Sequence, residues 1–228
     1  MRIGSCHWTT LGSKLRRGVS ITIANVHTAP WATWPPGSSL RPRARSTRPD
    51  EARFLNQAII DGAKRGVGLG EAVGAGLCEE KFPHSHCSIL ARAFELRVPV
   101  TVHVAIGTDT IHAHPSADGA SLGKTSHHDF RLFASLVSRL EEGVFINLGS
   151  AVIIPEVFLK ALTLVRNLGH EVKRFTTLNM DFLRHYRPMT NVVHRPTVEG
   201  GEGYFIVGHH EIMFPLLAAA VIEGMAGV

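Results

Sequence analysis

From residue 50 onward the apolar residues fall into a few recognisable spacings. Phe54, Leu55, Ala58 and Ile59 follow Asp50 at helical intervals and predict a helix to about Lys64. Ser88 to Leu96 carries a second helical spacing. Val98 to Ile106 is a β-branched run of the kind a strand buried on both faces requires. An amphipathic helix is predicted from Ser126 to Glu141, through Phe130, Phe133, Leu136, Val137 and Leu140. A strand from Gly143 (GVFINLG) and a helix from Pro155 through Asn167 come next. The alternation continues with a strand at Val172 to Thr177, a helical segment at Met180 to His185, a strand at Thr190 to His194 and a helix from His210 to Glu223. Regular alternation means parallel strands joined by crossover helices. The predicted fold is therefore α/β, a doubly wound, mostly parallel sheet with helices on both faces.

The first 49 residues differ in kind. They hold eight Lys or Arg and no acidic residue, together with all three Trp and five of the twelve Pro, without a sustained period. A net charge of +5 ordinarily points to nucleic acid. Residues 50–228, however, carry 16 basic and 19 acidic residues, a balance of −3, so the basicity belongs to the leader alone. A transit peptide and a nucleic-acid arm both compete for this segment, but five prolines interrupt any useful amphipathic helix. The expectation is an irregular, poorly ordered basic leader over 1–49, with Ile21 to Val26 able to form a short strand, followed by one α/β domain over 50–228. No nucleic acid or membrane partner is expected, because the longest apolar run, Ile212 to Ile222, is short and broken by Pro215. Cys6, Cys78 and Cys87 make neither a disulfide framework nor a CxxC pair, which points to the cytoplasm.

Chemistry is expected where open parallel sheets place it, beyond the carboxyl ends of the strands. The first such cluster is Asp109, His112, His114 and Asp118. The second is Asn147, Gly149, Ser150 and Glu156. Thr176, Thr177, Asn179 and Asp181 form the third, Arg195 and Thr197 the fourth, and His209, His210 and Glu211 open the last helix. The His112-x-His114 pair with Asp109 suits zinc or another transition metal and a water-activating hydrolase. Equally, two loop histidines can simply bond to carboxylates and backbone to order their own loop. His127, His128 and Asp129 sit where a helix is expected to begin, and Asp129 is assigned to helix-start electrostatics instead of catalysis. The glycines of GVGLGEAVGAG invite a dinucleotide-loop reading, yet that motif needs a preceding strand, and a helix spacing precedes it here. The alternative is a helix or turn packed closely through small residues. No GxSxG elbow supports a nucleophile. Ser150 is better explained as a small residue letting backbone approach a phosphate or sugar.

In order and spacing, VPVTVHVAIGTDTIHAHP, GVFINLGSAVIIPEVFLKA and TNVVHRPTVEGGEGYFIVGHHEI resemble the deoxyhypusine synthase family and its bacterial synthase-like branch, across about residues 50–228. The resemblance implies a Rossmann-type fold, bound NAD, spermidine or a related amine as substrate, aminobutyl transfer through an imine on a lysine, and a homo-oligomer. It places Asp109, Gly149, Ser150 and Thr197 near the cofactor, with Thr176 and Thr177 assigned beside them. His114 and Glu211 fall near the substrate amine. His112, His209 and His210 join those two as catalytic candidates, and Asp118, Glu156 and Asp181 are candidates for holding the amine, since carboxylates suit ammonium groups. The chain departs from the family in two respects. Its last lysine is Lys173, so the helix carrying GHHEIMF has no amine for the imine. The family's early nucleotide-contacting strand and turn would lie upstream of residue 50, so part of that region is expected to be missing. A metal-dependent hydrolase and a non-catalytic or truncated synthase-like fragment are the alternatives.

Overall fold

The computed structural model of the protein describes residues 21–24, 49–80, 82 and 84–226. Among these described residues the strands form two sheets, and every strand pairing is parallel. Contacts divide the chain into two compact units, one spanning Ile21–Arg131 and the other containing Leu132–Val228. Among the described residues no helix is long and apolar enough to cross a membrane.

The first unit begins with β1 (Ile21–Ala24), which pairs in parallel with β2 (Val100–His103). The short strand offered by Ile21 to Val26 is thus present. Between the two strands run α1 (Pro49–Arg65), α2 (Leu69–Glu80) and α3 (Ile89–Glu95). Ala52, Asn56, Ile59 and Ala63 recur at three- and four-residue intervals on α1 and are all buried. Ile59 joins Leu69, Val73, Leu90, Ala93, Val100, Val102 and Leu122 in one core cluster. The glycine-rich stretch is largely α2, packed closely through its small residues: a side chain at Gly70 would run into the Val100 carbonyl, and one at Gly74 would approach the Leu90 carbonyl at 2.7 Å. The alternative to the dinucleotide loop is therefore what the fold adopts.

Helix α4 (Gly119–Val137) starts seven residues earlier than the apolar spacing predicts. The reason is Asp118, whose carboxylate accepts from the backbone N–H groups of Ser121 (2.9 Å) and Ala120 (3.4 Å) and so caps the helix N-terminus.

The second unit contains β3 (Val144–Leu148), α5 (Ile153–Asn167), β4 (Thr176–Asp181), β5 (Glu202–Val207) and α6 (His210–Ala226). The sheet order is β3-β4-β5, following the chain. Register pairs Phe145 with Thr177 and Asn147 with Asn179, so these four side chains share a face. Phe145 stacks on Phe158 of α5 with ring centroids 3.7 Å apart, and Phe158 meets Phe175 edge-on at 6.3 Å. Gly203, in register with Thr177, abuts the Val193 carbonyl on the same face. Both crossovers thus cover one side of the sheet, as right-handed connections between consecutive parallel strands require.

Three predicted elements of this unit are corrected. Thr190 to His194 is not a strand: residues 186–197 form a helical stretch with a π turn over Met189–His194, which buries Asn191, Val192 and Val193. The β-branched pair mimicked a strand although it lines only one side. The real strand is Glu202–Val207, among the glycines at 200, 201 and 203, residues that more often mark a turn. Gly201 and Gly203 there let backbone pass against the Phe175 and Val193 carbonyls. The third strand begins at Thr176 instead of ending at Thr177, because the Lys173 and Arg174 N–H groups bond to the Glu141 carboxylate and hold that segment as a loop. Met180 consequently lies in a strand.

Candidate functional site

In the first unit the Asp/His cluster follows β2 and forms a loop that bonds to itself. The Asp109 carboxylate accepts from Ile111 N (3.3 Å), while His112 Nδ1 accepts from Gly107 N (3.0 Å) and Asp109 N (3.3 Å), a reciprocal cap on the turn Thr110–Ala113. His114 Nδ1 lies 2.7 Å from Ser116 Oγ and also accepts from Ser116 N. Asn56 of α1 fastens the loop from outside, donating to Ile111 O (3.1 Å) and Ser116 Oγ (3.0 Å). Asp118 serves as the α4 cap, and the Ser121 hydroxyl, then its N–H, hold the Asp118 carboxyl below the usual carboxylate range. Among the described residues no group of three or more His, Cys, Asp and Glu is placed to hold a metal. The hydrogen bonds match the loop-ordering role for these histidines.

Beside this loop lie buried ionisable groups that sequence reasoning did not place in any catalytic or binding role. Asp129 is fully buried in the body of α4, not at a helix start. One of its oxygens accepts from Gly70 N (3.0 Å) and Val102 N (2.8 Å), so it caps α2 and ties it to β2. Burial pushes its pKa up to about 6, against the pull of those two N–H groups. The other oxygen and His128 Nδ1 are buried without a hydrogen-bond partner, both against the Cα side of Gly68. His103 on β2 is 4% exposed, and desolvation pushes its pKa down to about 4, so it is a neutral ring, with Thr101 Oγ1 3.2 Å from its Nε2. The available signal was periodicity: a polar residue in an apolar stripe, as for Asn56 on α1, or within a β-branched run, as for His103.

In the second unit the carboxyl ends of the strands gather Asn147, Gly149, Ser150, Asn179, Asp181, His209 and His210. The Gly149 N–H donates to Met180 O (2.9 Å) and Gly208 N–H to Asp181 O (3.3 Å), joining the loops after β3 and β5 to the end of β4. Gly149 has φ +70, and a Cβ there would stand 2.9 Å from His210 Nε2. The Gly-Ser turn is therefore what lets His210 approach the sheet edge. Ser150 Oγ accepts from Ile154 N (3.1 Å) in the first turn of α5. Phe182 stacks on His209 at 4.5 Å. Behind this rim Asn147 donates to Ser150 O (2.8 Å) and to Asn179 Oδ1. That leaves Asn147 Oδ1, Asn179 Nδ2, Thr177 Oγ1 and His210 Nδ1 buried without a hydrogen-bond partner. An orphaned amide in a native interior calls for a partner.

Other predicted residues lie elsewhere. Thr176 and Thr177 are the first two residues of β4, at its amino end, and so do not follow the strand as expected. Thr197 also sits at the amino edge: it closes the helical stretch before β5, with its hydroxyl donating to Val193 O (2.6 Å) and its carbonyl accepting from Gly201 N. Glu156, in the first turn of α5, accepts from Asn191 Nδ2 (2.9 Å) and pairs with Arg187 at 3.5 Å. Glu211 is exposed at the start of α6. Asp109, His112, His114 and Asp118 belong to the other unit. No family model matches the chain, and no curated protein matches it.

Proposed function

We propose that the second unit binds a polar small molecule at the carboxyl edge of β3, β4 and β5, and that the chain is a deoxyhypusine synthase-like NAD-binding enzyme acting on a polyamine such as spermidine or a related amine. The observation that carries this reading is the Asn147–Asn179 pair. Its two unused atoms are an acceptor and a donor on neighbouring strands, the complement of a group that offers both, such as the carboxamide of nicotinamide. Position supports it too, since parallel sheets bind ligands at this end and every described pairing is parallel. When bound, NAD supplies a hydride acceptor. Asn147 and Asn179 would orient it, and His210, which Gly149 lets approach the sheet edge and whose Nδ1 is unused, would take a proton from the amine. Asp181 and Glu211 supply negative charge for an ammonium group. Transfer through a lysine imine is not part of the proposal, because the helix bearing His210 has no lysine.

The test is thermal unfolding of the full chain with NAD, NADH or spermidine. A ligand at about 100 times its Kd adds about 2.7 kcal/mol, roughly 5 to 10 °C for a chain of this size. Replacing Asn147 and Asn179 together by Leu removes both amides, so the fold is expected to survive while the NAD shift disappears. An unmoved midpoint at millimolar NAD and NADH, or an undiminished shift in the double variant, would refute the assignment.

A further inference from the structure

The two unused atoms of the Asn147–Asn179 pair differ in kind, and the backbone fixes which is which. An asparagine amide can in general be turned to exchange its oxygen and nitrogen. Asn147 cannot be turned. Its side chain meets the Ser150 carbonyl at 2.8 Å, and a carbonyl only accepts, so the nitrogen must face it. That leaves the oxygen of Asn147 unused. The same nitrogen donates to Asn179 Oδ1, which sets the second amide in turn and leaves Asn179 Nδ2 as the unused donor. One backbone carbonyl therefore orients both side chains. Together they present an acceptor beside a donor, on neighbouring strands and in register.

We infer that this pair selects between ligands: it admits an aromatic primary carboxamide and rejects the corresponding carboxylate, with the Ser150 carbonyl setting the sense of the selection. A carboxamide answers both atoms, its N–H meeting Asn147 Oδ1 and its oxygen meeting Asn179 Nδ2. A carboxylate answers Asn179 alone and sets a second, charged oxygen against Asn147 Oδ1. An amidinium fails in the opposite way, setting N–H against N–H at Asn179. Burial makes these mismatches costly, since Asn147 is 1% exposed and Asn179 is fully buried, where bulk water does not compensate a mispaired group. Nearby charge does not make the choice. Asp181 closes the same strand, while Arg184 lies over the Phe205 ring, 5.3 Å from its centroid. Phe205, half-buried in register beside Asn179, supplies an aromatic neighbour for a ring that carries the carboxamide. The inference rests on the site proposed above but not on the dinucleotide, because the chemistry recognised is the same in NAD and in a free aryl amide.

Calorimetric titration of the full chain at neutral pH, where the acids are ionised, tests it with three matched pairs: benzamide and benzoate, nicotinamide and nicotinate, NAD and its nicotinic acid form. Each amide that binds is expected to bind roughly a hundredfold more tightly than its acid. Asn179→Asp keeps an oxygen for Asn147 Nδ2 and replaces the unused donor by an acceptor. That variant is expected to lose benzamide and to bind benzamidine about tenfold more tightly than the wild type does, with its circular dichroism spectrum kept. Should the variant not fold, the wild-type ratio of amide to acid still decides. The inference is overturned if an acid binds as tightly as its amide in any pair, if no amide of the set binds at millimolar concentration, or if the folded variant still prefers benzamide. Equal binding of NAD and its nicotinic acid form would overturn the selection and leave the cofactor assignment standing. Selective binding of the small amides without NAD would uphold the selection and overturn the cofactor.

Discussion

Two buried groups in the first unit titrate in opposite senses over one pH range. Asp129 has a folded pKa of about 6 against an ordinary 3.8, so its stabilising contribution is complete below 3.8 and lost as pH rises to about 6. His103 is shifted the other way, from 6.5 to about 4, so its contribution is complete above 6.5 and lost as pH falls toward 4. Each shift spans about two pH units, roughly 3 kcal/mol, and the two slopes oppose each other between pH 4 and 6. The wild-type urea midpoint is therefore expected to be nearly flat there. Asp129→Asn keeps an accepting oxygen for Gly70 and Val102 and removes one slope, so its stability should rise with pH from 4 to 6.5. His103→Gln should show the reverse. An Asp129→Asn profile parallel to the wild type would show that the carboxyl does not titrate as burial demands. Neither residue could be ranked from sequence, since what matters is the absence of solvent around it; Asp129 is enclosed by groups such as Gly68, Gly70 and Val102, tens of residues away along the chain.

Among the helices, glycines separate close packing from open surface. In α2, Gly70 lies against the Val100 carbonyl, so Gly70→Ala forces α2 away from β2 and from the Asp129 carboxylate. A loss of about 2 to 3 kcal/mol is expected. In α4, Gly123 is exposed with nothing near a potential Cβ. Gly123→Ala is expected to gain about 0.5 to 1 kcal/mol from helix propensity. Denaturant unfolding of both variants checks the contrast, and equal effects would mean that the Gly70 contact is not enforced. Much of the element order was legible. Helices α1, α3 and α5 and strands β2 and β3 follow directly from apolar spacing, because each buries one continuous stripe or run. The region after Val172 was not, because its local signals point the wrong way. Val192 and Val193 resemble a strand yet sit in a π turn, and the glycines around Tyr204 resemble a turn yet form β5, where only glycine lets the backbone pass the Val193 carbonyl.

The candidate site was half legible for a similar reason. The rule that parallel sheets work at their carboxyl ends put Gly149, Ser150, Asp181 and His210 at the edge where they lie, but misjudging where β4 and β5 begin carried Thr176, Thr177 and Thr197 to the wrong edge. Asn147 and Asn179 became important only once register set them side by side. The charge break near residue 50 is a change of composition, and backbone pairing crosses it: Ile21–Ala24 lies in register with Val100–His103. A chain beginning at residue 50 therefore lacks β1 and leaves that row of β2 N–H and C=O groups without its strand partner. A chain beginning at residue 20 retains it while discarding four of the eight leader charges, Arg2, Lys14, Arg16 and Arg17. The 20–228 chain is expected to unfold near the full-length midpoint. The 50–228 chain is expected to unfold several degrees lower, since each kcal/mol is worth about 2 to 4 °C at this size, and to show faster amide exchange at Val100, Thr101 and Val102. Equal midpoints and equal exchange in the two shortened chains would mean that β1 adds nothing to the fold, and that the leader is separable at residue 50 as its charge suggests.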